Sequence, residues 1–173
     1  MKTTNIILAI CLTVFTSTGF AQQKANCNQD LFTDTLLTQL EGQWTATGSV
    51  GTEKVFYQFS NRWVLNHQFF EMTFADTATV PKYTARVFVG FDCKNARYVI
   101  HWMDNFGGAF SETLGYGEKK ADSIEMHFNY PEALLVNTFT YDLKKQEWTS
   151  NSVIKSEGKW VAFGNIRLKK NQP

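Results

Sequence analysis

The chain predicts an all-β fold: an antiparallel up-and-down barrel of about ten strands, preceded by one short helix. Three observations carry this. From Gln43 to Leu168, apolar and polar residues alternate in short runs, the period of a strand with one dry and one wet face. Each run ends in a cluster of Gly, Asn, Asp or Lys, residues that supply positive-φ and Asx turn chemistry. So many successive strands would leave two long vulnerable edges in an open sheet, and closure removes them. The 15 Phe, 6 Tyr and 5 Trp among 173 residues give an interior real bulk. A barrel near this size is either filled by its own side chains or holds one small ligand.

Residues 1–21 read as a cleaved secretory leader. Lys2 supplies the positive start, residues 6–15 the apolar run, and Gly19-Phe20-Ala21 the small-x-small cleavage site. The run is too short to span a bilayer, which needs about 20 apolar residues. Cys11 lies inside that run, after bulky Ile10, where a lipid-attachment site would need a small residue. The mature protein is therefore expected to be exported, periplasmic or secreted, with no stable membrane span. Removing 21 of the 173 residues leaves 152, and without Lys2 there are 16 basic and 16 acidic residues. That length allows one core. The even balance argues against a nucleic-acid partner, which needs clustered Lys and Arg.

Residues 22–29 form a loose polar segment, and residues 30–173 a single barrel domain. Apolar groups at 31, 32, 36, 37 and 40 recur at nearly the helical period, so a short helix is expected over residues 30–40. Asn28 or Asp30 can cap it, and Gly42 can end it. Strands are expected at 43–49, 53–60, 62–74, 82–91, 97–103, 109–117, 122–129, 135–142, 147–155 and 159–168. In the seventh, Ile124, Met126 and Phe128 alternate with Ser123, Glu125 and His127. Pro81 and Pro131 fall at strand boundaries, where a missing donor costs nothing.

Cys27 and Cys93 survive leader removal, and an even cysteine count in an oxidising compartment points to a bridge between them. Two free thiols are the alternative. The chain has no C-x-x-C spacing and no His pair at metal-ligating spacing, so neither metal nor cofactor is expected. Nucleophile-elbow, zincin, Walker and dinucleotide motifs do not occur in it.

Certain motifs resemble a known family. Leu40-Glu41-Gly42-Gln43-Trp44 looks like the Leu-x-Gly-x-Trp entry into a calycin-type barrel. Val89-Gly90-Phe91-Asp92, followed by Arg97-Tyr98 and Trp102-Met103-Asp104, resembles the G-Y-D…W-x-D signature of a bacterial family of unknown function, small and often exported. Phe91 replaces the usual Tyr. Thr138 to Tyr141, Trp148 and Gly158-Lys159-Trp160 resemble that family's C-terminal hairpins. The resemblance implies a lipocalin-like barrel and no established reaction. It implies that Trp44 is structural, plugging the closed end beneath the helix. A neighbouring group of barrels binds haem through a late His. The last His here is His127, so haem ligation does not carry over.

Parity nominates the residues that would line a ligand site: Tyr57, His67, Arg86, Phe88, Trp102, Asp104, Glu112, Tyr116 and Phe128. Tyr98, Ile100, Trp102 and Asp104 share one face. Phe110, Glu112, Leu114 and Tyr116 share the next. Inward carboxylates need partners, and Arg86 is the candidate for Asp104. The competing reading of Asp104 is a cap on the 105–108 turn. His67 shares a parity with Trp63 and Phe69, and a lone His there is commonly a satisfied core residue. Three functions follow from this pattern. The first is a barrel holding a small hydrophobic or amphipathic molecule. The second is an acid–base enzyme on the same barrel, using two of Glu112, Asp104, His67 and Arg86. The third is a filled barrel with an interaction role in the envelope.

Overall fold

A computed structural model describes residues 31–108 and 114–171. The expected leader (1–21), the loose segment (22–29), Cys27 and Glu112 lie outside these residues. Ten antiparallel strands close into a barrel: β1 (Gly42–Val50), β2 (Glu53–Val64), β3 (Phe69–Asp76), β4 (Thr84–Asp92), β5 (Arg97–Asp104), β6 (Leu114–Lys119), β7 (Ser123–Tyr130), β8 (Ala133–Asp142), β9 (Glu147–Ser156) and β10 (Lys159–Lys170). Each strand pairs with its sequence neighbour, and β1 pairs with β10 from Trp44↔Lys170 to Val50↔Gly164. No helix among the described residues is long and apolar enough to cross a membrane.

The helix α1 (Thr35–Leu40) is shorter than expected and starts at Asp34 rather than near Asp30. The reason is local. One Asp34 oxygen accepts the Leu36 and Leu37 amides, each at 2.8 Å, so the cap sits four residues later than the sequence pattern placed it. Leu36, Leu37 and Leu40 are buried beneath the barrel.

The turns use the expected chemistry. Asp92 accepts the Asn95 amide, and Asp142 accepts those of Lys144 and Lys145. Ala96 and Gln146 then take φ of 51° and 53°. One boundary differs. The expected strand over 62–74 is interrupted: β2 runs on to Val64 and the turn occupies residues 65–68. Leu65, Asn66 and His67 all take positive φ there. Side chains rarely adopt that conformation in succession, and nothing in the apolar–polar pattern of Leu-Asn-His-Gln announces it.

Candidate functional site

The two ends of the barrel differ. At the helix end Leu37, Leu40, Trp44, Phe70, Tyr98 and Trp148 are all within 2% of full burial. The Trp44 indole N–H donates to the Leu40 carbonyl at 2.8 Å, and the Asn61 amide donates to the same oxygen at 2.9 Å. Asp34 uses its second oxygen to accept the Tyr98 hydroxyl at 2.6 Å and the Lys119 ammonium at 3.2 Å. This end is closed.

The other end is the candidate site. Val55, Tyr83, Trp102, Leu135 and Ile166 pack on the core but stay only partly buried. Cross-strand register places Val55, Trp102, Leu135 and Ile166 on the inner face. Inward apolar groups that keep some exposure mark an accessible mouth. One wall is aromatic. Tyr57 lies 6.0 Å from Phe74 and 6.1 Å from Tyr83, and Phe74 lies 5.4 Å from Trp102. Trp102 then meets Phe128 edge-on at 5.7 Å. Such pairs add about 0.5–1.5 kcal/mol beyond their buried area. A polar relay crosses this wall: the Trp102 indole N–H donates to the Tyr83 hydroxyl at 3.1 Å, and that hydroxyl donates to Asp104 Oδ2 at 3.1 Å. Burial pushes the Tyr83 phenol up; the Trp102 donor opposes the rise and the Asp104 charge adds to it. Tyr83 is therefore held as a donor. The opposite wall is small and polar. Ser150 donates to Asn137 Oδ1 at 2.9 Å, next to Gly48 and Gly164. Deeper, at the closed end, the Trp148 indole nitrogen is buried with no hydrogen-bond partner among the described residues.

The sequence-nominated residues divide. Tyr57, Trp102, Asp104 and Phe128 face inward, Phe128 almost fully buried. Arg86, Phe88 and Tyr116 do not, which corrects their assignment to the lumen. Arg86 registers with Met103, so it emerges on the face opposite Asp104. It lies 3.5 Å from Glu71 instead. Phe88 shares that outer face, opposite His101. Tyr116 stands outside beneath the Arg97 guanidinium, 3.7 Å from its ring centre. The inner positions of β6 are Gly115 and Gly117. A Cβ on Gly115 would lie 2.5 Å from the Phe128 ring. Hydrophobicity selected the wrong face because a large neighbour already fills the space. His67 sits on the turn at the closed end, its Nδ1 3.0 Å from the Phe32 carbonyl and its ring stacked on Trp63 at 4.1 Å. It is a packing residue. An acid–base site built from His67, Asp104 and Arg86 is therefore not assembled.

Asp104 caps the turn, as one of its readings expected, and its inward partner is Tyr83 rather than Arg86. Its Oδ1 accepts the Phe106 amide at 3.0 Å, capping the turn, while Oδ2 meets Tyr83.

Two outer features escaped the sequence. A groove of about 820 Å³ crosses the outside of β1–β5, lined by Gln58, Ser60, Thr73, Arg86 and Met103 among others. Beside it Glu71 is 3% exposed between Arg62 at 3.0 Å and Arg86 at 3.5 Å. Removing the arginines strands a buried carboxylate, whereas removing the carboxylate strands only solvated arginines. The double variant R62A/R86A should thus lose about 2 kcal/mol, and E71Q less, by urea denaturation. Equal losses would contradict this account. The second feature is Glu118, Glu125 and His127, whose ligand atoms lie within 4.8 Å of one another on β6 and β7. Lys120 and His127 already engage Glu125. Cross-strand neighbourhood brought these groups together, and sequence spacing does not show it.

No curated protein matches the chain. The family model described as a protein of unknown function, DUF1579, matches residues 33–170, from the helix cap through the last strand, and the chain belongs to that family.

Proposed function

We propose that this protein is an exported, lipocalin-like carrier or sensor that takes a small apolar or amphipathic molecule into the open half of its barrel. The observation that supports this is the mouth opposite the helix, where inward-facing Trp102, Tyr83, Leu135 and Ile166 remain partly exposed. Ligand pockets combine such an apolar lining with a few placed polar groups. Here those groups are the Trp102–Tyr83–Asp104 relay and the Asn137–Ser150 pair. Export rests on the leader-like residues 1–21. The Cys27–Cys93 bridge belongs to the same proposal and rests on the even cysteine count left after leader removal. A free-thiol count on the unfolded, unreduced protein tests it: two thiols per mature chain would refute the bridge.

Binding is tested with the neutral fluorophore N-phenyl-1-naphthylamine. Trp102→Ala should weaken its binding about tenfold, the order set by losing one aromatic wall. Phe91→Ala, an exposed change at the closed end, should leave it unaltered. Equal behaviour of the two variants would remove the lumen as the site. Native mass spectrometry of protein from its own cells then identifies the ligand class by its added mass.

A second reading, an interaction role at the envelope, is favoured by the exposed apolar rim of the same mouth. Phe56, Val80, Phe106, Leu114, Trp160, Val161 and Phe163 stand there, each at least 41% exposed. Co-sedimentation with phospholipid vesicles, lost when Trp160 and Phe163 become Ser, tests it.

A further inference from the structure

One carboxylate at the lumen mouth narrows the ligand class. Asp104 is half-buried on the inner face. Among the described residues, no Lys, Arg or His nitrogen forms an ion pair with it. The base nearest in register, Arg86, is turned outward and engaged by Glu71. Asp104 keeps acceptor capacity, because each oxygen takes one hydrogen bond, from the Phe106 amide and the Tyr83 hydroxyl.

Aromatic rings surround this carboxylate. Tyr83 is 5.5 Å from Phe106 and 5.8 Å from Phe74, and hydrogen-bonds Trp102. Tyr83 and Trp102 are half-buried, and Phe106 is 59% exposed, so the group is reachable from solvent. Aromatic faces attract cations through their quadrupole, and a carboxylate in the same spot adds direct Coulomb attraction. The same arrangement repels a carboxylate head group.

We propose that the mouth selects a cationic amphiphile, an organic ammonium group held by Asp104 between Tyr83, Trp102 and Phe106, with its apolar portion in the lumen. This rests on the lumen-binding reading and specifies its ligand class. The relay gives Asp104 its orientation: Tyr83 fixes Oδ2 and the turn amide fixes Oδ1, so the carboxylate is set in place before the ligand arrives.

The test compares three ten-carbon probes by calorimetry on the purified protein: decyltrimethylammonium, decanol and decanoate. The cation should bind at least tenfold more tightly than decanol, and decanoate most weakly. Asp104→Asn removes the charge; its Oδ1 still accepts the Phe106 amide, and its Nδ2 donates to the Tyr83 hydroxyl oxygen in place of the lost acceptor. It should abolish the preference for the cation, bringing the cation and decanol affinities within about twofold of each other. Circular dichroism establishes that the variant is folded, and Asp104→Glu should restore part of the preference. Equal affinities for cation and decanol, or tighter binding of decanoate, would overturn the charge selectivity while leaving lumen binding intact. Failure of all three probes to bind would overturn both.

Discussion

Truncating Trp44 to alanine is expected to destabilise the protein by about 4 kcal/mol, the middle of the range for deleting a buried aromatic side chain. Trp44 is 1% exposed and faces the helix-closed end. Its loss opens a void between Leu40, Phe59 and the end of β10, in an interior whose neighbours relax only partly. Its hydrogen bond to Leu40 is also lost. The Leu40 carbonyl keeps Asn61 as a donor, so it is not orphaned, and the void dominates the cost. Trp44→Phe should recover about half the loss, because it restores ring volume but not the N–H donor. Equilibrium urea unfolding measures both. A loss under 1 kcal/mol for the alanine variant would mean that the helix end is not the packed plug described.

Replacing Asp34 is the second large effect, for a different reason. This one carboxylate caps α1 through Leu36 and Leu37 and accepts Tyr98 and Lys119. A lost cap costs about 1 kcal/mol. A lost charge-assisted bond that leaves a buried hydroxyl unpaired adds about 2 kcal/mol. Asp34→Ala should therefore cost about 3 kcal/mol. The same network predicts a pH response. Burial pushes the Asp34 carboxyl up, but the Tyr98 hydroxyl, the Leu37 amide and Lys119 outweigh it, so its pKa in the folded protein is below the ordinary 3.8. The unfolded chain then binds the proton more readily. The contribution is full at pH values above 3.8 and is lost as pH falls below it through the folded value. Unfolding free energies at pH 6 and pH 3 should differ less in Asp34→Asn than in the parent protein. An unchanged difference would rule out Asp34 as a source of acid lability.

How legible was this in the sequence? The strand rhythm was, because period-two alternation reports directly on two-faced strands and the Asx turns have local causes. The barrel follows from that; the helix has its own near-helical spacing, and the burial of Trp44 follows from the resemblance to calycin-type barrels. What failed was choosing faces where both parities carry apolar groups. In β4, Phe88 competes with Ala85, Val87 and Val89, and only the register with β5 decides that Arg86 and Phe88 point outward. In β6 the inner face consists of glycines, since Phe128 and Ile100 occupy the room their side chains would need. The Glu71–Arg62–Arg86 cluster joins three strands and has no local signature. Tyr83, central to the mouth, lies before β4, where alternation no longer indicates a face.

The pairing of β1 with β10 also governs when the protein can exist as a barrel at all. The first strand to leave the ribosome has as its partner the last one, so it waits for nearly the whole chain before its second row of hydrogen bonds is satisfied. Closing so long a loop costs entropy before any contact repays it, and domains dominated by such distant pairings fold in roughly milliseconds to seconds. During that interval β1 and its neighbours present unpaired edges to other chains. A chain ending before Lys159 never leaves this state. Such truncations should accumulate as aggregates rather than as smaller folded proteins, whatever the intrinsic quality of the nine strands that remain.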